Sequence, residues 1–504
     1  MKLQQLFSLF EVAANNVDLQ NNMDSAHFDQ EISSICFDTR QVAPGSVYVA
    51  IRGVKSDGHE YIPEAIKNGA IALVVESADR IPHDFKGYVL AVPDSRKMLD
   101  TLASRFYHFP SENLFCLGVT GTNGKTSITY LLEHFLNSHQ KTTGVMGTVN
   151  HRVQDHIWNS EMTTPDPVTL QKRLREFIEK GALYCAMEVS SHALDQNRAD
   201  SVHFNTVIFT NLTLDHLDYH KDMNSYFQAK QRLFTDLMWS SHKKPLFAIV
   251  NVDDSYGRRL KLAEPVVGWT YGQTDSDFQF KILEMNFSGT TFELKTPIEV
   301  LKIKSPLAGV HNVYNVVACM AACLTAGLSL EQSHRALQTF KGIPGRLQKV
   351  LANTEKTVFI DYAHTPDALE NTLKSLQKIK QETQSKGKII TVFGCGGDRD
   401  KSKRPLMAAI AEKQSDFVFI TSDNPRTEDP QAILNDIEKG FQAGFKNYVR
   451  QSDRELAIAL AVAQAQDGDV VLIAGKGHED YQIIGTTKNH FSDYEVAEKY
   501  LNQK

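Results

Sequence analysis

From Ser33 to about Phe109, short apolar runs (SSICF, SVYVAI, AIALVV, YVLAV) alternate with amphipathic stretches such as YIPEAIKNG and SRKMLDTLASRFY. That rhythm predicts a small α/β unit. A boundary near Pro110 precedes the run LFCLGVT, a Gly-rich loop, and TSITYLLEHFLNS, in which Ile128, Leu131, Leu132, Phe135 and Leu136 keep helical spacing. Further β runs at YCAMEV, TVIFTNL and LFAIVNV, separated by helical or irregular stretches, predict a mostly parallel sheet with crossover helices. Alternation from Asp277 to Lys304 around Ser288 and Gly289 predicts a β-hairpin excursion, followed by a buried helix from Asn312. The pattern restarts near Gly342, where TVFIDYA, IITVFGC, FVFITSD and DVVLIAG predict a doubly wound unit. The expected division is therefore 1–109, 110–341 and 342–504, all α/β.

Length agrees with this division, since 504 residues correspond to about three domains of roughly 150 residues. With 42% hydrophobic and 23% charged residues, the chain is neither collagen-like nor disordered. Its 54 Lys and Arg against 60 Asp and Glu give a net charge of -6, which provides no basic footprint for nucleic acid. Anionic ligands must then be held by local sites. The six cysteines are scattered without CxxC pairs and are expected to be reduced core thiols. No signal-peptide pattern opens the chain, and no stretch reads as a membrane span, so a soluble cytoplasmic protein is expected.

Candidate chemistry starts with GVTGTNGKT (118–126), placed between a strand and a helix. Its glycines let backbone N–H groups face phosphate oxygens, Lys125 adds a point charge, and the Thr126 hydroxyl can ligate Mg2+. A strict P-loop would have glycine at 119, where this chain has Val119. EVSSHAL (188–194) and NLTLDHLDYH (211–220) follow β runs, at the strand ends where open α/β sheets bind ligands. Glu188 and His216 are suitable metal ligands there, and equally suitable helix caps or satisfied polar residues. Lys230 in SYFQAKQRLF reads, from spacing alone, as an exposed helix lysine. Asp361, Tyr362, His364 and Asp367 in DYAHTPD again follow a β run, as either a site or a capped turn, and Arg399 lies in the glycine-rich GCGGDRD.

In order, TGTNGKT, MEVSSHAL, TNLTLDHLDYH, YFQAK, GVHNVYN, GIPGR, DYAHTPD, FGCGGDRDKSKRP, DNPRTEDP and AGKGHEDYQ resemble the Mur ligase family, from the CFDTR and GSVYVAIRG segments to the last strand. Within that family the chain is similar to the branch that adds the third amino acid to UDP-MurNAc-L-Ala-D-Glu. The resemblance implies a three-domain Mur ligase architecture: a UDP-sugar domain, a central P-loop ATPase-like parallel sheet and a C-terminal Rossmann-like domain. It also implies a cytoplasmic ATP- and Mg2+-dependent ligase of peptidoglycan precursor synthesis, with UDP-MurNAc-L-Ala-D-Glu and meso-diaminopimelate as partners.

Carried over residue by residue, it places Phe37, Thr39, Val54, Lys55 and Ser56 at the uridine nucleotide, and Thr163, Thr164, Ser190, Gln196 and Arg198 at the muramoyl dipeptide. ATP would contact Gly121, Thr122, Asn123, Gly124, Lys125 and Thr126, with Asn315, Arg346 and Asp361. Glu188 and His216 resemble metal ligands beside Thr126, and Lys230 falls on the family's carbamylated lysine; Lys125, His216 and Lys230 are the implied catalytic residues. Arg399, Asp423, Asn424, Pro425, Arg426, Gly475 and Glu479 correspond to the amino-acid pocket. Arg426, fourth in DNPR, implies diaminopimelate rather than L-lysine. Met162 departs from the polar Asn of some relatives. The alternatives are a lysine-adding enzyme, a folylpolyglutamate synthetase-like ligase and a non-catalytic ATP-binding regulator.

Overall fold

The computed structural model describes residues 1–8, 29–53, 56–352, 354 and 356–503. Val54 and Lys55 lie outside the described residues. Two compact units are present: 1–279 with 314–333, and 280–313 with 334–504.

In the first unit, β1 (Ser34–Cys36), β2 (Ser46–Val49), β3 (Ala70–Val75) and β4 (Tyr88–Ala91) form a parallel sheet in that order. These are the four apolar runs of the sequence. Asp94 caps the helix Ser95–Phe106, its side chain accepting from the backbone N–H groups of Arg96 and Lys97. That helix buries Leu99, Leu102 and Ala103, the i, i+3, i+4 face that meets the sheet's core.

The same unit holds β5 (Phe115–Thr120), β6 (Thr143–Met146), β7 (Asn150–Val153), β8 (His156–Asn159), β9 (Tyr184–Glu188), β10 (Thr206–Phe209), β11 (Leu246–Asn251) and β12 (Val266–Gly272). Their spatial order is β12-β11-β10-β5-β9-β6-β7-β8, parallel up to β6 and antiparallel beyond it. Register sets Val119 opposite Glu188 and Thr120 opposite Phe209. Three motifs distant in sequence therefore share one edge, the C-terminal ends of β9, β5 and β10. The helix Lys125–Asn137 packs Ile128, Leu131, Leu132, Phe135 and Leu136 into the core, as the periodicity predicts. Val310–Thr325 is helical, and from Val316 to Cys323 every side chain is fully buried, which accounts for a sequence apolar on all faces.

In the second unit, β13 (Phe278–Asn286), β14 (Gly289–Lys295) and β15 (Val300–Ser305) form a meander. The expected hairpin gains a third strand because Thr296 closes a further turn, its N–H and hydroxyl both donating to the Glu299 carbonyl. A second sheet contains β16 (Gln348–Lys349), β17 (Thr357–Asp361), β18 (Ile389–Cys395), β19 (Phe417–Ser422), β20 (Tyr448–Arg450) and β21 (Val470–Ala474), ordered β16-β17-β21-β18-β19-β20 and parallel apart from β16. Its four long strands are wholly or almost wholly buried, matching their continuous apolar sequences. The hairpin pairs half-buried β22 (Tyr481–Ile484) with β23 (Thr487–His490), which is exposed and polar, and the apolar pattern gave no sign of it. β8, a four-residue and mostly exposed strand (HIWN), was too short to show a pattern either.

All six cysteines are buried free thiols. Among the described residues no helix is long and apolar enough to cross a membrane.

Candidate active site

The loop after β5 turns through Gly121 (φ 146°) and Gly124 (φ 90°), and Gly124 is the N-cap of the helix that follows. Side chains are excluded at both positions, since a Cβ would stand 1.9 Å from Thr210 Oγ1 at Gly121 and 2.6 Å from Asn315 Oδ1 at Gly124. The segment after β10 braces the loop: Thr122 N donates to Asn211 O (2.9 Å), Asn123 N to Asn211 Oδ1 (3.0 Å), and Thr210 Oγ1 to Asn123 O (2.6 Å). Lys125 folds back, its Nζ donating to the carbonyls of Gly121 (2.8 Å) and Thr122 (2.9 Å). The result is a glycine cradle at a helix N-terminus with an ammonium beside it, which fits a nucleotide polyphosphate.

Glu188, at the end of β9, is 1% exposed. It accepts from Thr126 Oγ1 (3.0 Å), Thr148 N (3.0 Å) and Thr148 Oγ1 (3.0 Å). A carboxylate and a threonine hydroxyl at the foot of the cradle form a hard-oxygen donor set suited to Mg2+. His216, in the left-handed region (φ 53°), is exposed and has other neighbours: Asp215 Oδ2 at 3.5 Å and the rings of His192 (4.9 Å) and Tyr226 (5.8 Å).

Lys230 corrects the reading from spacing. It is 1% exposed, on the helix Met223–Gln231, and its Nζ donates to Gly121 O at 2.9 Å, the carbonyl that also receives Lys125. Its amine lies 4.7 Å from the ring of Tyr226, whose hydroxyl is 3.2 Å from Thr122 Oγ1. Burial, reinforced by the Lys125 ammonium, pushes Lys230 well below the ordinary lysine range. A four-carbon stem buried against the nucleotide loop is a tertiary feature that helical spacing cannot reveal.

The five residues assigned to the dipeptide adjoin Glu188. Thr164 Oγ1 donates to Glu188 O (2.9 Å) and accepts from Ser190 N (3.0 Å), while Thr163 Oγ1 is 3.0 Å from Thr148 Oγ1. Arg198 Nη1 donates to Thr164 O (3.0 Å), and its Nε and Nη2 bind Gln196 Oε1. Met162 supplies a sulfur 3.2 Å from Arg198 Nη1 where an amide would offer oxygen. Tyr219 was missed; its hydroxyl accepts from Gln196 Nε2 at 3.0 Å. Thr148 was also missed, because it lies in the loop after β6, away from any motif.

Phe37, Thr39 and Ser56 line one cavity of about 590 Å³, with Asp38, Arg40, Tyr48, Tyr61 and Arg96 among its other walls. Arg96 is the second residue of the helix after β4, and spacing gave it no distinction from other helix arginines.

In the second unit, buried Asp361 ends β17 and accepts from Leu347 N (2.7 Å), Ala363 N (3.0 Å) and Thr372 Oγ1 (3.2 Å). Burial raises its carboxyl, and the nearby Arg346 guanidinium acts against that. Asn424 bridges Glu479, to which its Nδ2 donates (3.0 Å), and Ile483, whose N–H donates to its Oδ1 (2.9 Å). Lys476, fully buried and missed from the sequence although it lies within AGKGHEDYQ, donates to both Asn424 Oδ1 and Glu479 Oε2 at 3.3 Å.

Arg426 is held in the left-handed region (φ 53°) by Ile483 O and Gly485 N, and its Nη1 donates to Gly397 O (2.9 Å). A Cβ on Gly396 would meet Arg426 Nη1 at 3.0 Å and Arg399 Cγ at 3.8 Å, so both arginines flank this glycine. Gly475 (φ 120°) leaves room for Asp423, whose Oδ2 would be 2.8 Å from a Cβ there, and burial raises the Asp423 carboxyl. Pro425 is buried beside them.

Sequence profiles of the Mur ligase family catalytic domain, the Mur ligase middle domain and the Mur ligase glutamate ligase domain match residues 31–107, 119–323 and 345–477. A Clostridioides difficile protein named UDP-N-acetylmuramoyl-L-alanyl-D-glutamate--2,6-diaminopimelate ligase is 42% identical, covering 100% of both chains. A protein of the same name from Thermosynechococcus vestitus is 45% identical over 94% of each chain. A solved structure carrying that enzyme's name aligns with a TM-score of 0.72 at 31% identity, over 99% of this chain and 98% of the other. With its fold matched end to end and relatives this similar along its whole length, the chain belongs to the Mur ligase family.

Proposed function

We propose that the protein joins meso-diaminopimelate to the D-Glu side-chain carboxylate of UDP-MurNAc-L-Ala-D-Glu at the expense of ATP, in cytoplasmic peptidoglycan precursor synthesis. The observation that carries this reading is the convergence on one loop carbonyl: Lys125 and the buried Lys230 both donate to Gly121 O, with Thr126 on Glu188 alongside. Full-length similarity to relatives of that name supports the substrate class. The UDP sugar, ATP and amino acid are assigned to 1–109, 110–341 and 342–504.

A carboxylate is a poor electrophile, so it is first phosphorylated by the γ-phosphoryl group of ATP, and the amine then displaces phosphate from the acyl phosphate through a tetrahedral intermediate. Lys125 leaves its two loop carbonyls for the phosphoryl oxygens, and the N–H groups of 121–126 orient the polyphosphate. Thr126 and Glu188 would hold Mg2+, with His216 assigned to the metal on the resemblance alone, and the ion would neutralise charge on the phosphates. Lys230 is assigned as carbamylated: CO2 adds only to a neutral amine, and the depressed Lys230 favours that form. Asn315, beside Gly124, is assigned to adenine; Arg346 and Asp361 are assigned to ATP on the resemblance.

Phe37, Thr39 and Ser56 are assigned to uridine, supported by their shared cavity, and the cluster from Thr163 to Arg198 to the dipeptide. Arg399, Asp423, Asn424, Pro425, Arg426, Gly475 and Glu479 are assigned to diaminopimelate; the Arg426 guanidinium beside Gly396, with Arg399 flanking the same glycine, favours a substrate with a second carboxylate over lysine. The test is phosphate release from ATP with UDP-MurNAc-L-Ala-D-Glu, with and without each candidate amino acid. Release that requires meso-diaminopimelate supports the assignment. Release without any amino acid, or equally with lysine, overturns it.

A further inference from the structure

Three segments precede β5, β10 and β11, neighbouring parallel strands, so the fold gathers them at the N-terminal edge of the sheet, away from the nucleotide loop. Each carries one metal-ligating side chain: Glu112, His203 and His242. One ligand atom from each falls within 4.8 Å of the others. The two imidazoles stack with centroids 4.6 Å apart at 25°. His203 Nδ1 is shielded from solvent and has no hydrogen-bond partner among the described residues.

The backbone around this cluster is fixed. His203 N donates to Ser111 Oγ (3.1 Å), and Asn205 Oδ1 accepts from both Cys116 N (2.9 Å) and Lys243 Nζ (2.9 Å). Lys243 also donates to Leu114 O, so its charge faces the strand ends. That nearby positive charge weakens any cation site, and two imidazoles favour borderline transition metals over Mg2+ or Ca2+.

We propose that Glu112, His203 and His242 form a binding site for a Zn2+-class dication that staples these three segments, distinct from the catalytic centre. Tetrahedral Zn2+ with ligands at roughly 2.0–2.1 Å sets ligand atoms about 3.3 Å apart, so the site must close by at most about 1.5 Å. Glu112 and His242 are exposed and have the rotational freedom to do so.

The experiment titrates the full-length protein, under saturating Mg2+, with Zn2+ against a chromogenic chelator and with Co2+ as a spectroscopic probe. One high-affinity Zn2+ per chain, four-coordinate Co2+ bands and a Zn2+-dependent rise in Tm are expected. Losing even an outer-shell partner costs about 10–100-fold in metal affinity, so Glu112→Gln and His242→Ala should each weaken binding at least tenfold and abolish the Tm rise. Both positions are exposed, so these variants keep the fold. His216→Ala should leave Zn2+ binding unchanged. The proposal fails if wild-type protein binds no Zn2+, if His242→Ala binds it undiminished, or if His216→Ala removes it.

Discussion

Asp100 is a carboxyl buried where nothing neutralises it. It lies on the helix Ser95–Phe106, is 1% exposed, accepts from Ser201 N through Oδ2 (2.5 Å), and leaves Oδ1 without a hydrogen-bond partner among the described residues. Burial, helped by the charge of Asp200, pushes it up to about 7 from an ordinary 3.8. Between those values the folded protein binds the proton more tightly than the unfolded chain, so stability falls as pH rises through this window. At about 1.4 kcal/mol per pH unit, a window of about three units corresponds to about 4 kcal/mol lost above pH 7.

Asp100→Asn keeps the acceptor for Ser201 N and removes the titration, but it introduces an amide donor in place of the orphaned oxygen, at a cost of about 1–3 kcal/mol. The net expectation is that Asp100→Asn is the more stable protein at pH 8.5, by about 1–3 kcal/mol, and that this advantage is gone at pH 5, where the native carboxyl has lost only about 1.7 kcal/mol. Thermal melts of both proteins from pH 5 to 8.5 in a constant-ionic-strength buffer measure this directly. Parallel Tm profiles would refute the assignment of a buried, titrating Asp100.

Three further outcomes are expected. Lys125→Ala should lower turnover by about 10²-fold or more with an unchanged melting profile, because the lost charge serves the transferring phosphoryl group; near-normal turnover by phosphate release would remove the loop from the mechanism. Lys230→Ala should also be inactive, and wild-type protein prepared with bicarbonate should gain 44 Da at Lys230 by native mass spectrometry, the mass of one CO2; full activity of the variant contradicts the role. Arg426→Ala should reduce kcat/KM for meso-diaminopimelate by about 10²-fold or more, with Arg426→Lys recovering little because a point charge cannot reproduce the guanidinium fork. Comparable kcat/KM of the native enzyme for lysine and diaminopimelate would sink that assignment.

Local pattern determined much of this protein. Runs such as IITVFGC and FVFITSD are buried on both faces of a parallel sheet, so continuous apolarity identified them, and the Ile128 to Leu136 spacing identified a helix that packs on one side. GTNGKT announced its own chemistry because glycine geometry and lysine charge act within a few residues of each other. Short, mostly exposed strands such as β8 and β23 left no such trace, since their pairing is made by backbone groups that every sequence carries.

What tertiary structure alone decided is proximity across the chain. Strand order β9-β5-β10 brings Glu188 to Thr126 and Asn211 to Thr122. Packing of the helix Met223–Gln231 buries Lys230 on Gly121, reversing what an isolated helix lysine would do. The order β5-β10-β11 gathers Glu112, His203 and His242 at the other edge, and a closed hydrogen-bond network links Lys476 to Asn424 and Glu479. Burial and charge fields depend on which strands are neighbours, and that is fixed by the whole fold rather than by any single segment.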